Sequence, residues 1–170
     1  MNAKKLSELS LLTAAALIIF VIELRIPDLS PVQGVKLGLA NIITVYAVYR
    51  YSAKEVFLIV LARVILGSIF SGNFSVIIYS LSGALMCLAG MLLLKKIIPE
   101  KYMWLCSICG ALLHNTGQII AAVIVTRSAA VLVNYPILII SGCIAGLFTG
   151  VCAGIVTKRM ILRNIKKSGS

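Results

Sequence analysis

Apolar residues in this chain neither alternate nor trace a one-sided helical stripe; they run on in long blocks broken by short polar punctuation. A helix crosses a bilayer with about 20 mostly apolar residues. Blocks of about that length fall at 6–24, 35–51, 53–70, 74–94, 102–126 and 130–155. The connections between them are brief: IPDLSPVQG, a turn near Ser52, SGN, KKIIPEK and the stretch around Arg127. Pro27, Pro31 and Pro99 fall in those connections, where a missing amide and a fixed φ do no harm. The pattern predicts an all-α fold, a polytopic bundle of six transmembrane helices forming one domain over 1–170, with a basic tail at 156–170. No internal repeat is visible.

Composition sharpens this. Soluble domains are about 45–50% apolar and about 25% charged, whereas this chain is 61% hydrophobic and 12% charged. The first block follows Lys4 and Lys5 as a signal peptide would, yet it ends in IELRIPD without a small-residue cleavage pattern. It is expected to remain as a helix.

Charge then orients the bundle. Cytoplasmic loops collect Lys and Arg. With the N-terminus inside, Lys4, Lys5, Arg50, Lys54, Lys95, Lys96, Lys101, Lys158, Arg159, Arg163, Lys166 and Lys167 face the cytoplasm. Only Arg25, Lys36 and Arg127 face out, so both termini are expected to be cytoplasmic. The +11 net charge is thereby explained by topology and attraction to anionic lipid, not by a nucleic-acid partner.

Depth picks out the candidate chemistry. At a rise of about 1.5 Å per residue, His114, the lone histidine, sits about 18 Å up the fifth helix, just past mid-membrane. Asn115 and Gln118 lie higher, Asn41 is about two turns down the second helix with Lys36 at its mouth, and Arg63 is near mid-membrane. Glu23, Ser68, Asn73, Tyr79, Asn134 and Tyr135 share the outer half. Charges at the bilayer centre cost about 2.5–3.5 kcal/mol and are therefore paired or turned toward a cavity. The expectation is a cavity open to the outside, lined by Lys36, Asn41, Arg63, His114, Asn115 and Gln118 and suited to a small anionic ligand. Two plainer readings stay open: amides and imidazole that only join helices, and Arg63 paired with Glu23.

The last block reads GCIAGLFTGVCAG, placing Gly142, Gly146, Gly150 and Gly154 on one face for close helix packing. CSIC, Cys106 to Cys109, has CxxC spacing but no polar companion, so packing is the expected role. No nucleotide-binding loop, no nucleophile elbow and no Asp-rich metal–diphosphate motif occurs. The chain reads as a non-enzyme, with no metal site and no cofactor.

The segments GVKLGLANI, RVILGSIFSGN, YSLSGA, GALLHNTGQ and YPILIISGCIAGLFTG resemble the Gx transporters, a bacterial membrane family commonly called heptaprenyl diphosphate synthase component I. The resemblance spans about residues 23 to 150. That family in turn is similar to the S components of energy-coupling factor transporters. The resemblance implies a multi-pass protein of the bacterial cytoplasmic membrane. It further implies a subunit that captures a ligand from outside and relies on a separate ATPase and coupling module. The alternative is a non-catalytic membrane subunit beside a prenyl synthase or quinone- and flavin-linked electron transfer, recruiting its partner through KKIIPEK and KRMILRNIKK.

Overall fold

The structure is a computed structural model that describes residues 2–23, 25, 38–72 and 75–168, with side chains at 75, 76 and 161–168 outside that description. Among the described residues six α-helices follow in order: α1 (Ala3–Glu23), α2 (Asn41–Arg50), α3 (Ala53–Ser71), α4 (Ser75–Leu94), α5 (Met103–Thr126) and α6 (Tyr135–Ser168). Short 3₁₀ turns at Glu100–Tyr102 and Ala129–Asn134 lead into α5 and α6. There is no strand among the described residues.

Among the described residues four helical stretches are long and apolar enough to cross a membrane: Ala3–Glu23, Ile77–Leu94, Glu100–Thr126 and Ala129–Met160. The surface matches a lipid solvent. Ile22, Ile69, Phe70, Leu93, Ile124, Ile140 and Ile144 each expose more than half of their area, and aqueous surfaces do not carry apolar patches on that scale. The chain is a multi-pass helical membrane protein.

Two elements differ from the sequence expectation. The block at 35–51 is not one continuous helix: Gly38 takes a left-handed φ of 76°, and α2 begins only at Asn41. Its 10 residues amount to about 15 Å at 1.5 Å per residue. Thr44, Val45, Tyr46, Ala47 and Val48 are all buried; a helix apolar on every side belongs inside a bundle. The second difference is α6, which starts at Tyr135 and runs through the basic tail to Ser168. That tail is rich in Lys, Arg, Met, Leu and Ile with no Pro or Gly before Gly169, so nothing in it stops a helix.

Local signals set the other boundaries. Glu55, third residue of α3, accepts the Ser52 backbone N–H at 2.9 Å, the reach-back of a capping box. Gly72 closes α3 at φ 67°, a left-handed conformation glycine adopts without a Cβ clash.

Packing is tightest along α5. A Cβ on Gly117 would lie 2.8 Å from the Ser82 carbonyl, and one on Gly83 2.8 Å from the His114 carbonyl, so α4 and α5 cross backbone to backbone. Gly142, Gly146 and Gly150 press α6 onto Asn115, Ile108 and Trp104 of α5 in the same way. Gly154 is looser, its Cβ position 3.9 Å from Met103. Polar pairs add to these seams: Ser107 with Thr149 at 2.9 Å, Thr116 with Tyr135 at 2.8 Å, and the Ser82 hydroxyl to the Gly117 carbonyl at 2.8 Å. The main core joins α2, α3, α4, α5 and α6 through Val45, Val48, Val56, Val60, Cys87, Met91, Cys106 and Ala153. By contrast α1 buries only Leu9, Ala16 and Glu23, a single seam at seven-residue spacing.

One end of the bundle carries the N-terminus, the α2–α3 turn, the α4–α5 connection and the far part of α6. Ion pairs Lys5–Glu55 (2.7 Å) and Arg50–Glu100 (2.9 Å) lie there. So do bonds from Lys95 to the Val48 carbonyl and from Tyr49 to the Ile98 carbonyl. We call it the basic end.

Candidate functional site

Toward the opposite end, four helices bring polar side chains together in the interior. Glu23 ends α1, Asn41 opens α2, Arg63 lies within α3, and His114 and Gln118 share one face of α5, a turn apart. All five are buried, at 2% to 7% relative exposure. Glu23 accepts the Gly38 N–H. That amide lies three residues ahead of α2, so the bond ties the end of α1 to the turn that leads into α2. Arg63 donates through Nη1 to Asn41 Oδ1 at 3.3 Å. The His114 ring engages the Gly83 backbone.

Of the residues expected to line a cavity, Arg63, His114 and Gln118 meet around one space, with Phe20, Glu23, Gly38, Val64 and Ser80 completing its wall. Asn41 joins through Arg63. Asn115 does not take part: it donates through Nδ2 to the Leu138 carbonyl at 2.6 Å, bracing α6. Lys36 and Asn73 lie outside the described residues. Glu23 and Arg63 line the same space, and the ion pairs among the described residues do not include the two together.

The volume is decisive for chemistry. The space measures about 20 Å³, against a need of about 10–15 Å³ for one water. The described part of the expected outward site thus encloses room for a water molecule, and Lys36, expected at its mouth, lies outside the described residues. No described group of three or more His, Cys, Asp or Glu is placed to hold a metal. Cys87 and Cys106 are buried in the core, and Cys109 is half-buried.

A ligand-sized space occurs instead at the basic end, between α1, α2 and α6. It measures about 790 Å³, within the range of about 300–1,000 Å³ usual for small-molecule sites. Leu11, Leu12, Ile42, Ile43, Val156 and Met160 form its walls, and Lys4, Lys5 and Arg50 stand at its mouth with Glu8. Lys5 and Arg50 are each held by an acid, Glu55 and Glu100, and Tyr51 donates to Glu8 at 3.3 Å. Sequence reasoning treated those cations as topology signals only. Three helices distant in sequence make the groove, and the one legible sign was a basic cluster beside apolar walls.

Residues 12–156 match the family model described as heptaprenyl diphosphate synthase component I. No curated protein and no solved structure matched the chain.

Proposed function

Because the chain belongs to the heptaprenyl diphosphate synthase component I family, we propose that it is a non-catalytic membrane component of prenyl diphosphate synthesis. In this reading the groove between α1, α2 and α6 holds a prenyl chain. Lys4, Lys5 and Arg50 pair with its diphosphate, an anion that matches their charge. The single observation that carries it is the juxtaposition of three cations and apolar walls around about 790 Å³. The catalytic partner is a soluble synthase that approaches the basic end. That end faces the cytoplasm of a bacterial cell, with α2 and α3 completing six membrane-embedded helices and both termini inside.

A photoreactive prenyl diphosphate tests the site. Labelling should concentrate on α1, α2 and α6 and fall at least several-fold in Ile43→Trp, which fills the groove. Unchanged labelling of that variant would remove the groove from the reading.

A second reading is favoured by the polar cluster. Asn41, Arg63, His114 and Gln118, with Lys36, would form a site for a small anionic ligand. The chain would then be an S-component-like, Gx-transporter subunit energised by a separate ATPase and coupling module. Purification from native membranes separates the two. A co-purifying prenyl synthase supports the first, and an ATPase pair with a transmembrane coupling protein supports the second.

A further inference from the structure

Four buried side-chain atoms among the described residues have no hydrogen-bond partner within the protein: Glu23 Oε2, His114 Nδ1, Gln118 Oε1 and Thr157 Oγ1. The first three belong to residues that line the same space of about 20 Å³. Chance does not gather unsatisfied groups in this way, since a buried polar atom without a partner is costly wherever it lies. These three are also of one kind. The carboxylate and amide oxygens accept, and an imidazole nitrogen without its proton accepts as well. Three acceptors around one small space call for a compact donor.

We propose that this space is a binding site for a single water molecule that joins α1 to α5. The water donates to two of the three acceptors, Glu23 Oε2, His114 Nδ1 and Gln118 Oε1, and accepts from the Arg63 guanidinium in the same wall. The volume admits one such molecule, and the partner count fits the two to four bonds of a buried water. Ammonium has a similar size and more donors, but it cannot accept from Arg63 and would add a second positive charge beside it. Water is the species that satisfies both kinds of group.

The site has a structural consequence. At the end far from Lys5, α1 is attached through Glu23 and through Phe20, whose ring lies against Gly67 of α3. The protein itself bonds the Glu23 carboxylate to the turn that leads into α2, and the water extends the attachment to His114 and Gln118. This inference rests on neither functional reading above.

The test is an experimental structure of the full chain in nanodiscs, at a resolution that shows ordered waters. Density within hydrogen-bond distance of at least two of the three acceptors and of Arg63 is expected. Absence of density, with the three atoms turned to partners within the protein, overturns the site. Gln118→Met keeps the volume and removes one acceptor, so the density should weaken while the fold persists. A parallel series compares thermal unfolding in ammonium and sodium chloride at equal ionic strength. Equal midpoints support water; a saturable rise with ammonium alone overturns the assignment to water.

Discussion

Gly117 and Gly154 show how one hydrogen atom acquires structural weight. At Gly117 an added methyl meets the Ser82 carbonyl and the Gly83 Cα, at 2.8 and 2.9 Å, and neither is a flexible side-chain end. Gly117→Ala should therefore cost about 1–3 kcal/mol, the range for overpacking, as an earlier transition in mixed-micelle unfolding. Gly154→Ala meets nothing closer than 3.9 Å and should be neutral or stabilising by up to about 1 kcal/mol from helix propensity. Arg63 is a charge case. Arg63→Met removes the positive charge that shares a space with Glu23 together with the bond to Asn41; leaving buried polar groups unpaired costs about 1–3 kcal/mol each, and more for a charged one. Combining it with Glu23→Gln should recover part of that loss, measured by the same unfolding. Depth along the helices, legible in the sequence, places Arg63, His114 and Gln118 from mid-membrane upward, and the three line one space. It could not say that Asn115 turns away, because neighbours on a helix point about 100° apart and only the position of α6 decides which face is which.

At the scale of elements, α5 is the axis on which α4 and α6 close. Asn115 ties α6 to it through the Leu138 carbonyl, and hydrogen bonds between membrane helices are worth about 0.6–2 kcal/mol. Asn115→Leu should lower stability by that amount without disturbing Arg63 or Glu23. An effect as large as that of Arg63→Met would contradict the division into two separate polar contacts. The helix most misjudged from the sequence is α2. Its apolar run continues past position 38, but Gly38 takes a left-handed φ and its amide is held by Glu23 from α1. A partner 15 residues away leaves no local signature in the segment it interrupts.

For the whole molecule, the basic end gathers ion pairs, the ligand-sized groove and the helical C-terminal extension on one side. If that side is cytoplasmic, single cysteines at 101 and 158 in a chain otherwise free of cysteine should resist impermeant thiol reagents in intact cells. A cysteine at 127 should react. The inverse pattern would reverse the orientation and remove the groove from reach of a cytoplasmic synthase.

The class of the molecule was legible from the chain alone, since each residue's transfer preference for lipid acts without regard to its neighbours. Local stop signals stand at two helix ends, Ser52 before α3 and Gly72 after it. The tertiary structure decided the size of the spaces. A polar cluster spread over several helices can enclose a ligand or a single water, and fractions of a turn in each helix separate the two. Here α4 and α5 cross at Gly83 and Gly117, the described polar cluster encloses about 20 Å³, and about 790 Å³ lies open at the basic end.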